Sequence, residues 1–143
     1  MASPAIYELW TGRPLPKNPA TALFPLQSRI GLLMPDRTDY WWDVTRSTDL
    51  FDLAVKVIGA LRDFALPVFA TYPDTAALLA KLRESGTLPG LSRAQGPVIH
   101  AIAAHCRGFR EEAEDQLQQA LNRDSRSTFA GTVRTIGARL GIR

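Results

Sequence analysis

An α+β fold follows from three features of the sequence: an alternating apolar run over residues 26–34, a second over 39–45 that holds two tryptophans, and a helical apolar period directly behind them. The expected architecture is a short antiparallel β-hairpin packed on a central amphipathic helix, followed by a C-terminal helical hairpin and a last helix. One domain spans 1–143, with a proline-rich arm at 1–25, the hairpin and its helices at 26–86, and a helical tail at 94–143.

In the first run Leu26, Ser28, Ile30, Leu32 and Met34 share a face. In the second, Tyr40, Trp42 and Val44 share one face, while Asp39, Trp41, Asp43 and Thr45 point the other way. Pro35-Asp36-Arg37-Thr38 supplies turn chemistry between them. Pairing Met34 with Tyr40 aligns Leu32 with Trp42 and Ile30 with Val44, because one step of register would set the acids against the apolar row. A five-residue loop at 35–39 is therefore expected.

Thr48 is the expected N-cap of the central helix, with Asp49 and Asp52 at the positive end of its dipole. Leu50, Leu53, Ala54, Val57, Ile58, Leu61 and Ala65 recur at helical spacing, and Leu66-Pro67 is expected to end the run. A tryptophan buried against this face would hide roughly 200 Å², and its truncation would cost about 3–5 kcal/mol.

Five prolines in residues 1–25 forbid a long helix there, so Ile6 to Trp10 is expected as a short strand or a turn of helix, with the rest an extended arm. Exchange of this arm between two copies is the sharper alternative. Val68 to Tyr72 reads as an apolar connector. A second helix runs from Pro73 through about Ser85, with Ala77, Leu78 and Leu82 inward and Gly86 as its stop. Three glycines and two prolines mark 86–97 as a linker. The tail reads as helices over 94–106, 109–123 and 127–140, the last with a stripe of Phe129, Val133, Ile136 and Leu140.

An apolar fraction of 45% with 22% charged residues is ordinary for a soluble globular domain. The N-terminal residues lack the pattern of a signal peptide, no run is long enough to span a bilayer, and Cys106 is the single cysteine. A cytoplasmic location is expected. Charge is uneven: residues 93–143 hold eight arginines and five acids, and four arginines follow Ser125 without an acid. Fourteen arginines against three lysines read first as genomic composition. Glu111 to Asp115 reads as the acidic first turns of a helix facing water.

No motif for catalysis or for a cofactor is present. His100 and His105 are five residues apart, about 140° around a helix, so they do not form a metal pair, and Cys106 points elsewhere. Asp39 and Asp43 lie roughly 13 Å apart along a strand, too far for a retaining glycosidase, and read instead as partners for Arg29 or Arg46. Trp41, on this acid-lined face, is either covered by another element or an exposed recognition aromatic.

Arg29-Ile30-Gly31-Leu32-Leu33-Met34-Pro35, then Tyr40-Trp41-Trp42-Asp43-Val44, an amphipathic helix and Leu66-Pro67-Val68-Phe69 resemble the C-terminal part of an uncharacterised bacterial family known only as a domain of unknown function, over residues 26–125. Members usually carry an additional N-terminal helix and strands, which the proline-rich arm replaces here. The resemblance implies a fold and no activity. Ala101 and Ala104, with Gly108, Ala113, Leu117, Ala120 and Leu121, resemble the spacing of one tetratricopeptide helix hairpin; His100 and Arg110 depart from that pattern, and no second copy follows.

The functional expectation is a non-enzymatic interaction factor, of the immunity or accessory kind, with no cofactor and no metal. It would bind another protein through the hairpin face that carries Arg29, Leu33, Asp39, Trp41 and Asp43. A homodimer through the exposed sheet edge or the N-terminal arm is a further expectation. The alternative is a nucleic-acid-associated factor using Arg123, Arg126 and Arg134. A membrane partner is not expected.

Overall fold

The computed structural model describes residues 4–18, 28–123 and 128–142, and among them every regular element is helical. The expected hairpin is absent from this set, and with it the α+β class. In chain order the elements are α1 (Pro4–Thr11), a 3-10 turn (Ile30–Leu33), α2 (Leu50–Ala60), a π turn (Leu61–Ala65), α3 (Leu66–Thr71), α4 (Thr75–Ser85), α5 (Gln95–Cys106), α6 (Arg110–Arg123) and α7 (Thr128–Arg139).

The hairpin fails at its first strand. Ile30-Gly31-Leu32-Leu33 closes on itself: Leu32 N–H donates to Arg29 O at 3.0 Å and Met34 N–H to Gly31 O at 3.3 Å. Arg37, at φ 48°, then completes a turn through Arg37 N–H to Met34 O at 3.0 Å. The chain does reverse where turn chemistry placed the reversal, yet no ladder forms. Residues 38–44 take no regular secondary structure, and Tyr40 and Trp42 keep the same side, their rings edge-on at 5.0 Å.

Gly31 is what permits the turn. It is buried, and a Cβ there would fall 2.2 Å from Thr38 O and 2.6 Å from Tyr40 N, both backbone atoms that cannot rotate away. Gly31→Ala should therefore force this crossing apart, costing about 1–3 kcal/mol in urea unfolding and altering the near-ultraviolet circular dichroism of Tyr40 and Trp42. Wild-type values in both measurements would mean that the backbones do not cross so closely.

Asp49, not Thr48, caps α2: its Oδ1 accepts from Phe51 N–H at 2.9 Å and Asp52 N–H at 3.2 Å. Thr48 stands one residue outside, where its hydroxyl accepts from Thr45 N–H at 2.8 Å. Pro67 does not end the helix. The π turn widens the backbone just before it, with Leu66 N–H reaching Leu61 O, and the proline sits in the first turn of α3, where its missing N–H costs little. The expected connector Val68–Tyr72 is consequently helical to Thr71, and one rod runs from Leu50 to Thr71.

The centre of the fold is not the helix expected at 48–66. No residue of α2 is buried. The core is α5, where Val98, Ile99, Ala101, Ile102, Ala103 and Ala104 are all 0% exposed. Between Gln95 and Cys106 there is no Asp, Glu, Lys or Arg, and a helix apolar on every side has to be covered on every side. Helices α1, α4 and α6 pack on it, and α7 packs on α6 and α1. Ala101, Ala104, Ala113 and Ala120, all buried, let helices approach closely in this region.

Helix α4 joins this core through Leu78, Leu79 and Leu82, capped by Asp74 Oδ1 accepting from Ala77 N–H at 2.8 Å and stopped by left-handed Gly86. The following segment is packed: Leu88 is buried, and Gly96 abuts the Gly86 carbonyl. In α7 the expected stripe holds, with Val133, Ile136 and Leu140 buried and Phe129 half-buried. In the expected arm, whose residues 19–25 lie outside the described residues, α1 is a helix that buries Ile6 and Tyr7. Its C-terminal carbonyls on Leu9 and Trp10 accept from Arg139 Nη1 at 3.1 and 2.7 Å.

Candidate functional site

Helices α2 and α3 are apolar over most of their circumference, and only part of that surface is covered. Leu53, Val57, Phe64 and Val68 are half-buried. On the outer side Leu50, Phe51, Val55, Ile58, Leu61, Leu66 and Phe69 are exposed, Phe51 at 79%, Ile58 at 63% and Phe69 at 60%. The charged side chains pair among themselves: Asp52 with Lys56 at 2.6 Å, and Arg62, one turn beyond Ile58, with Asp63 at 2.7 Å. The hydrogen bond from Lys56 to Asp52 raises the ammonium pKa, and Arg62 lowers that of Asp63 by the same kind of contact.

The segment at 38–44 adds a second exposed feature. Trp41 is 70% exposed, with the Arg29 guanidinium 5.3 Å from its ring centroid. Arg29 also pairs with Asp39, one of the two pairings expected for that acid. Carboxylate, guanidinium and indole thus form a short stack on the surface. The truncation cost expected for a buried tryptophan does not apply to Trp41. Asp43 is exposed and Leu33 half-buried. Of the five expected partner-binding residues, Arg29, Asp39 and Trp41 converge by direct contact; the β-face that was to unite them does not exist.

Of the C-terminal arginines named for a nucleic-acid surface, Arg123 and Arg134 are described, and each stands in a different setting. Arg123 donates from Nη1 to Arg93 O at 3.1 Å. Arg134 lines a groove of about 1000 Å³ between α6 and α7, which it shares with Glu114 and Asp115 over a floor of Leu117, Leu121 and Val133. Arg126 lies outside the described residues.

A second cavity, of about 750 Å³, is bordered by Glu8, Arg13, His105, Cys106 and Arg139. Burial pushes the Cys106 thiol up and so holds it in the protonated state, which is a poor nucleophile and a poor ligand. His100 sits away from this cavity. It is 6% exposed, and its Nε2 lies 2.7 Å from Glu112 Oε1. Glu112 also accepts from Arg83, Nε to Oε1 at 2.9 Å and Nη2 to Oε2 at 2.6 Å. Arg83 lies over the Phe109 ring at 4.6 Å. Glu112, expected to face water as part of an acidic run, is only partly exposed and ties α4 to α5 and α6. Among the described residues no group of three or more His, Cys, Asp or Glu is arranged to hold a metal ion, and no helix is long and apolar enough to cross a membrane.

No family model matches the chain, and no curated protein or solved structure is significantly similar to it. The roles of its residues rest on their geometry.

Proposed function

We propose that this chain is a non-enzymatic protein-interaction factor, acting in the cytoplasm, that docks through the outer side of the Leu50–Thr71 rod with the Trp41–Arg29 stack beside it. One observation carries the reading: the rod exposes seven large apolar side chains over 20 residues. Contiguous apolar patches beyond a few hundred Å² are rare on soluble monomers and mark interaction surfaces. A single, half-buried cysteine is compatible with a reducing compartment. Exposed aromatics beside a positioned arginine are the residue types that anchor protein interfaces.

Immobilised wild-type chain and the Phe51→Ser/Ile58→Ser variant, offered the same host lysate, test the reading. Binders retained by the wild type should be lost from the variant, while the helical circular dichroism of the two is the same. A second copy of the chain counts among such binders. Identical capture by both would remove the rod as the docking surface.

A further inference from the structure

Resting on that reading, we infer that the occupant of the rod is a second copy of this chain, packed antiparallel across a two-fold axis at Ile58. Three observations support a self-complementary contact: the placement of the apolar residues, the area they leave open, and the balance of charge beside them.

Four of the six exposed apolar residues that flank Ile58 on the rod mirror one another in sequence about it, while Phe51 and Phe69 have no exposed counterpart. Leu50 and Leu66 lie eight residues to either side, and Val55 and Leu61 lie three to either side. In a two-fold contact residue i meets j wherever j meets i. Antiparallel apposition therefore sets Leu50 against Leu66, Val55 against Leu61, and Ile58 against itself. Gly59, beside the axis, has nothing within 4 Å of where a Cβ would stand, so another helix has room to approach the backbone there.

The open area is also sufficient. At about 150–250 Å² for a fully exposed large side chain, the outer residues of the rod present on the order of 700 Å². Each partner in a standard stable interface contributes about 800 Å², which this area approaches. Charge does not oppose the contact: the rod carries two acids and two bases, each acid already paired with a base of its own copy. A strongly acidic or basic partner would find no counter-charge here, whereas an identical neutral rod meets no repulsion.

Sedimentation velocity of the full chain from about 1 to 200 µM should show a monomer–dimer equilibrium, weakened at least about tenfold by Ile58→Lys with helical circular dichroism unchanged. A second variant does not depend on disruption. In a Cys106→Ser background, Ile58→Cys should form an intermolecular disulfide with itself under mild oxidation, and the control Ala80→Cys should not. Two results overturn the proposal: a wild-type monomer throughout the range, or a dimer indifferent to Ile58→Lys that gives no Ile58→Cys cross-link. A monomer whose rod variant still loses lysate binders would overturn self-pairing alone. A monomer whose rod variant keeps them would overturn the docking surface as well.

Discussion

Ile102→Ala is expected to lower the unfolding free energy by about 2–5 kcal/mol, whereas Phe51→Ala, which removes a larger side chain, should change it by less than about 0.5 kcal/mol at concentrations where the chain is monomeric. The contrast follows from position. Ile102 is fully enclosed in α5, where the neighbouring helices cannot collapse into the space left by three missing carbons; Phe51 is 79% exposed, and its removal leaves no cavity. Against a total stability of about 5–15 kcal/mol, the first change brings the fold near its limit. Urea titrations followed by far-ultraviolet circular dichroism decide the matter. The opposite order, with Phe51→Ala the costlier change, would place the core against the α2 rod and refute an α5-centred fold.

That contrast also shows what could be read from the sequence. The patterns over α4, α6 and α7 are amphipathic, and each element appears within a residue or two of its expected span, with Leu82, Leu117 and Ile136 inward. The patterns over α2 and α5 mislead in opposite directions. Periodicity reports that side chains are apolar and says nothing of whether another element covers them, so Leu50, Ile58 and Leu61 resemble a core face as much as Val133 and Ile136 do. In α5 the alanines add little apolar bulk, yet they are what allow α6 to approach, and a helix apolar all round offers no periodic face to detect.

The hairpin failed for a related reason. Residues 39–45 carry a true two-residue alternation, and the edge-on contact of Tyr40 with Trp42 preserves it. Pairing, however, needs a second strand, and the candidate contains Gly31 at a point where the backbone of residues 38–40 crosses. Glycine weakens a strand and marks close backbone approach; which of the two applies depends on a contact seven residues away. The Arg29–Asp39 pairing was legible because both candidates lay beside one turn. Contacts between Arg83 and Glu112, 29 positions apart, leave no local trace at all.

Glu112 provides the second large effect, and its sign depends on pH. Hydrogen bonds from Arg83, reinforced by His100, lower its carboxyl pKa to about 2 against the partial burial that raises it. An ionised carboxylate only accepts, so the His100 ring must present Nε2 as N–H. Because the folded pKa lies below the ordinary carboxylate value, the stabilisation is fully present above about pH 4.5 and is lost as the pH falls toward 2. Glu112→Gln should accordingly cost about 2–3 kcal/mol at pH 7, for it removes the charge facing Arg83 and breaks the bidentate pair. The gap between wild type and variant should narrow steadily below pH 4.5. Comparing the two chains at each pH cancels the titration of distant carboxylates, so this narrowing reports Glu112 together with the groups it contacts. A gap of constant size from pH 7 down to pH 2.5 would show that Glu112 joins α4, α5 and α6 by shape and not by charge.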